Sequence, residues 1–125
     1  MTEKIQYEPD ATDMVVKLLE KTVAGKIPWK PTADNSEFVV SLKGTTTLRL
    51  YTTSETGYNE YNEREEFEVP MLSLEDEKGR RLWQAGQQDV KTPGALRNLH
   101  KAARRVANRV DDRITQIVKA LDELN

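Results

Sequence analysis

Ten apolar residues recur at helical spacing along the C-terminal part of this 125-residue chain: Leu96, Leu99, Ala103, Val106, Val110, Ile114, Ile117, Val118, Leu121 and Leu124. At 100° per residue most of them fall within an arc of roughly 80°, which marks an amphipathic helix. Thr92 and Pro93 predict its start, with threonine as N-cap and proline at the first helical position. Unbroken from Pro93 to about Leu124, such a helix is on the order of 48 Å long. A strand of five to seven residues spans only ~17–23 Å. A small sheet therefore cannot cover the whole stripe. The remainder must meet the first helix, a second copy of itself, or a break near Asn108 to Asp112.

The rest of the chain reads as one more helix and a sheet. Residues 1–10 read as a flexible tail. Asp10 or Thr12 can cap a helix running to about Ala24, with Met14, Val15, Leu18, Leu19 and Val23 on one face. Gly25 stands where a left-handed cap is wanted. Ile27-Pro28-Trp29-Lys30-Pro31 cannot continue the helix, because each proline disfavours helix for the residue before it. Trp29 reads as a wedge under the first helix. Phe38, Val40 and Leu42 alternate with polar or outward positions, and Thr45 to Thr53 alternates likewise. A turn at Lys43-Gly44 makes the two a hairpin. Residues 54–66 have no apolar period and read as a long exposed acidic loop. Phe67 to Leu74 is a third strand, where Pro70 points to an edge or a bulge. A turn over Glu75 to Gly79 leads to a short fourth strand, Arg80 to Gln84, and residues 85–91 read as a polar linker. The expected fold is α+β and a single domain over residues 1–125: N-terminal helix, four-stranded antiparallel meander, long C-terminal helix, both helices on one sheet face. Trp29, Phe38, Val40, Leu42, Leu48, Leu50, Leu72, Leu74 and Trp83 are the expected core, with Leu99 among the residues facing the helix seam.

A formal net charge of −2 hides a strong polarity. Thr53 to Glu77 contains Glu55, Glu60, Glu63, Glu65, Glu66, Glu68, Glu75, Asp76 and Glu77 against the single cation Arg64. Leu96 to Arg113 contains Arg97, Lys101, Arg104, Arg105, Arg109 and Arg113 against Asp111 and Asp112. This polarity points to self-association or to a charged partner. Tyr58 and Tyr61 interleave with acids such as Glu63, a contact surface for a basic or aromatic ligand. The cations recur mainly at i+4, so their row winds around the helix. Arg109 and Arg113 fall at the border of the apolar stripe, where arginines suit interface rims. Val106, Val110, Ile114, Ile117 and Leu121 are the expected oligomer seam. Ion pairs between the acidic and basic segments would be worth ~0–1 kcal/mol each, and would set orientation more than stability.

The inventory for chemistry is poor. The chain has no cysteine, which removes disulfides, thiolate nucleophiles and Cys-based zinc sites together. It also favours a reducing compartment. His100 is the single histidine, with no acid three or four positions away on the helix, and it reads as a structural hydrogen-bonder. There is no nucleophile elbow, phosphate-cradling glycine loop, dinucleotide fingerprint or His-Glu-x-x-His. Glu60, Glu63, Glu65, Glu66 and Glu68 do not match a calcium loop, so no metal and no cofactor is expected. No apolar run approaches ~18 residues, so no membrane span is expected. The N-terminus lacks a signal-peptide pattern, and the expected location is cytoplasmic.

The order of signals resembles a loose group of small uncharacterised bacterial and phage helix–sheet–helix proteins. The resembling residues are Leu18-Leu19 through Ala24-Gly25-Lys26-Ile27-Pro28-Trp29, the Phe38 to Leu50 hairpin, the Asp76 to Gly79 turn, and His100 to Asp112. The resemblance brings no activity. It implies a stand-alone cytoplasmic accessory protein from mobile-element or phage-related surroundings.

The expected function is a non-catalytic interaction or assembly module, a homodimer through its C-terminal helix that acts on a protein partner. One alternative is nucleic-acid binding through the basic helix. An isoelectric point near 5.5 and the lack of a base-reading row of Asn or Gln weigh against it. The other is sequestration of a nucleotide-like small ligand, with Tyr58, Tyr61, Arg97 and His100 as contacts.

Overall fold

The computed structural model describes residues 10–42, 44 and 46–124. The expected tail, apart from Asp10, lies outside the described residues, as do Lys43 and Thr45 around the first hairpin turn. Helix α1 spans Ala11–Val23. Of the two candidate caps, Asp10 does the work: its carboxylate accepts the Asp13 amide at 3.1 Å. That bond holds the Asp10 carboxyl below the usual carboxylate range. Thr12 instead accepts the Lys91 amide at 2.7 Å, pinning the distant linker to α1. The helix ends in a Schellman motif. Lys26 N–H reaches the Lys21 carbonyl at 2.9 Å and Gly25 N–H the Thr22 carbonyl at 3.0 Å. Gly25 has φ +76°, the left-handed conformation this motif needs. Trp29 is buried, and its indole N–H donates to the buried Thr22 hydroxyl at 2.9 Å. That bond satisfies the one polar atom of the wedge.

The sheet has five antiparallel strands rather than four, in the order β1-β2-β3-β4-β5. They are β1 (Lys30–Pro31), β2 (Phe38–Leu42), β3 (Thr46–Tyr58), β4 (Arg64–Glu75) and β5 (Arg81–Gly86). Strand β1 is a Lys-Pro pair, too short to show a period, and it lies on an edge where proline's missing N–H is tolerated. The register puts Phe38, Leu50, Leu72 and Ala85 side by side, and next to them Val40, Leu48, Leu74 and Trp83. This face carries the core, closed by Val15, Leu18, Ile27, Trp29, Leu96, Leu99 and Ala103 from the helices and the α1–β1 connection. The opposite face is polar. There Arg49 bridges Glu37 at 2.7 Å and Glu75 at 2.8 Å, and the Glu75 bond chiefly raises the guanidinium's affinity for its proton.

Residues 54–66 are not a loop. They continue β3 and β4 into a two-stranded ribbon paired from Thr52↔Pro70 to Tyr58↔Arg64. Most of this ribbon is exposed on both faces, so no apolar face is required and no period-2 signal exists to read. Its tip is built by Asn59. The Asn59 side-chain oxygen Oδ1 accepts the amides of Tyr61 and Glu63, both at 2.9 Å, and its side-chain nitrogen Nδ2 donates to Glu63 and Glu65. Pro70 marks where β4 becomes one-sided: pairing with β5 begins at Met71.

The C-terminal helix is two helices. Helix α2 is Ala95–Ala107 and α3 is Val110–Asp122. The first starts two residues later than Thr92-Pro93 predicts, behind a left-handed Gly94 with φ +70°. The Gln87 side chain caps it from the linker, accepting the Leu96 amide at 3.0 Å while donating to the Val90 and Thr92 carbonyls. The break falls at Arg109, which is left-handed at φ 53°, ψ 45°. Asp111 and Asp112 stand in the first turn of α3, where their charge favours a new helix N-terminus.

Candidate functional site

Helix α2 buries Ala95, Leu96, Leu99, His100, Ala103 and Ala107 against the sheet and α1. Helix α3 buries no residue at all. Of the expected seam, Val106 and Val110 are half-buried beside the body, while Ile114, Ile117 and Leu121 are out in solvent. Val110, Ile114, Ile117, Leu121 and Leu124 alternate at spacings of four and three, a heptad seam. Along it exposure runs from 47 % at Ile114 to 71 % at Leu124.

A second apolar surface lies at the root of this helix. A groove of 590 Å³ is lined by Leu19 and Val23 of α1, by Ala102 of α2 and by Val110, with Asn98, Lys101, Arg104 and Arg105 as its polar lining. Val23 is 73 % exposed there. Helical spacing places Leu19 and Val23 on the apolar face of α1 without saying what covers them. The signal that α1 has more apolar face than its own neighbours cover lies only in the tertiary arrangement.

The six cations divide into two sets. Arg105 pairs with Asp111 at 2.7 Å, Arg109 with Asp112 at 2.9 Å, and Arg113 donates to the Asn108 carbonyl at 2.8 Å. These three fasten the α2–α3 corner. Arg97, Lys101 and Arg104 have no acidic partner within salt-bridge distance among the described residues. They line a cleft of 180 Å³ with His100 and with Thr52, Glu68 and Pro70 at the base of the ribbon. Tyr58 is six residues further along the ribbon, on the order of 20 Å away, with Tyr61 and Glu63 at the tip beyond it. The expected grouping of Tyr58 and Tyr61 with Arg97 and His100 is therefore not formed at this cleft.

His100 fills a structural position. Its Nε2 lies 2.8 Å from the Ser36 carbonyl, an acceptor only, so the proton is on Nε2. Its ring tilts against Phe38, with centroids 5.3 Å apart. Burial pulls its pKa below 6.5, partly opposed by the Ser36 bond. The ribbon's acids find no cation within salt-bridge distance among the described residues, so the acidic ribbon and the basic helix are not paired there. Among the described residues no group of three acids or histidines could hold a metal ion, and no helix is long and apolar enough to cross a membrane.

Comparison with protein-family models, with curated proteins and with solved structures returns no match for this chain.

Proposed function

We propose that this chain is a non-catalytic assembly module that joins a second copy of itself through α3. The observation that carries the reading is the uncovered heptad seam of α3. An isolated helix of about 13 residues is marginal in water, and helices in proteins owe most of their stability to packing of an apolar face. Among the described residues that packing is missing for α3. Covering an aliphatic side chain such as Ile117 or Leu121 contributes about 1.5–3 kcal/mol when burial is complete. A second chain is the simplest source of that cover. The nucleic-acid alternative loses ground because three of the six expected cations are engaged at the α2–α3 corner. The small-ligand alternative needs Tyr58 and Tyr61 beside Arg97 and His100, and the tyrosines stand far along the ribbon from the 180 Å³ cleft that Arg97 and His100 share.

Native mass spectrometry of the full chain over a range of concentrations tests the reading. A dimer is expected, and Ile117→Asp is expected to convert it to monomer. A wild-type chain that remains monomeric up to about 100 μM, a range where Kd values correspond to only ~5–6 kcal/mol, would sink it.

A further inference from the structure

Resting on the reading of α3 as the association element, we propose that its receptor is the groove between α1 and α2 of the second copy, so that two chains exchange their last helices reciprocally. Three observations converge on this. First, the groove and the stripe are complementary in kind. Leu19, Val23, Ala102 and Val110 form an apolar trough between two helices, and the ridge of side chains on a third helix packs into such a trough. Second, the chain's own α3 is held away from its own groove. Val110, the first residue of α3, is part of the groove wall. From there the corner is fixed by Arg105–Asp111, by Arg109–Asp112 and by Arg113 on the Asn108 carbonyl. These contacts orient the helix outward, which leaves both apolar surfaces of one chain free for another. Third, the charges match. The groove carries Lys101 and Arg104, neither with an acidic partner within salt-bridge distance among the described residues. The far end of α3 carries Asp122 and the C-cap Glu123 against the single cation Lys119, the two acids having no cationic partner within salt-bridge distance among the described residues. An acidic helix end entering a basic-rimmed trough fixes the direction of insertion.

The exchange is isologous: each chain gives a helix and receives one, and the assembly closes at two. Pairing of α3 with α3 leaves the groove empty and is the competing arrangement.

The test separates the two and uses the full chain. Val23→Asp alters the groove at an exposed position, and Ile117→Asp alters the stripe at another, so neither disturbs the buried core; unchanged thermal midpoints of the monomers check this. Each variant alone is expected to weaken dimerisation at least tenfold. Mixed, they are expected to form a heterodimer, because the intact α3 of the Val23→Asp chain finds the intact groove of the Ile117→Asp chain. Native mass spectrometry with one chain isotopically labelled reads this directly. If Val23→Asp dimerises as the wild type does while Ile117→Asp does not, the groove is not the receptor: the inference falls and the assembly function stands. If the two mixed variants stay monomeric, reciprocal exchange is likewise overturned. If the wild type never dimerises, both fall together.

Discussion

Helices α2 and α3 have the same length, 13 residues, and continue one apolar stripe in sequence, yet one is half buried and the other is bare. Their difference teaches that an amphipathic period states a demand for cover without saying who meets it. Helix α2 gives Ala95, Leu96, Leu99, Ala103 and Ala107 to the core shared with α1 and the sheet. Helix α3 has larger residues on its stripe, Ile114, Ile117, Val118 and Leu121, and all four are exposed.

The largest effect that could break this comparison comes from truncating equivalent leucines. Leu99→Ala, at a fully buried site, is expected to lower unfolding stability by about 2–5 kcal/mol at every protein concentration. Leu121→Ala is expected to leave a dilute chain's denaturation midpoint unchanged within ~0.5 kcal/mol, and to act only where association stabilises the fold. Equal losses from both in dilute urea titrations would mean that α3 is covered within the monomer after all.

The second effect sharpens the account of α2. His100 is held neutral by burial, with a folded pKa below 6.5. The unfolded chain then binds the extra proton first as pH falls. The stabilisation is fully present above pH 6.5 and is lost as pH drops through that value toward the folded pKa. His100 is approached by Arg104 and Arg97, which disfavour its proton, and by the Ser36 carbonyl and Glu68, which favour it. Urea midpoints between pH 7.5 and 5 should therefore decline, and His100→Gln should flatten that segment of the profile. No change of slope on substitution would refute the assignment.

The smallest effect concerns a polar atom. Ser73 is buried in β4 between β3 and β5, and its hydroxyl has no hydrogen-bond partner among the described residues. Replacing an unsatisfied buried hydroxyl removes a desolvation cost. Ser73→Ala is expected to be neutral or to stabilise by up to ~1 kcal/mol, read in the same titrations; a clear loss would show that the hydroxyl has a partner.

The parts of this fold that the sequence made legible are those where local chemistry and tertiary packing agree. The Gly25 cap, the alternation over Phe38 to Leu50, and the Asp76 to Gly79 turn, with Gly79 at φ +79°, are each decided within a few residues. The features that escaped depend on neighbours distant in sequence. Strand β1 exists because β2 offers it an edge. The ribbon of β3 and β4 exists because its two strands satisfy each other's backbone groups without any core to impose a period. Gln87, in a stretch that reads as a polar linker, is the cap of α2, a role visible only once Leu96 is brought above it. At the candidate site the stripe was legible and its fate was not. Arg109 has no sequence signature of a left-handed residue. The cations around it became corner fasteners because Asp111 and Asp112 were within reach.

The ribbon carries a further consequence. Beyond Thr52 and Pro70 each of its strands has one neighbour only, so it offers two open rows of backbone donors and acceptors. Such rows invite strand addition from another chain. Glu55, Glu65 and Glu66 lie along them, and a copy approaching edge to edge would bring its own glutamates against these. Like charges set opposite across strands disfavour pairing. The glutamates thus disfavour open-ended growth of the sheet from its edges, which a closed contact through helices, as proposed above, would not require.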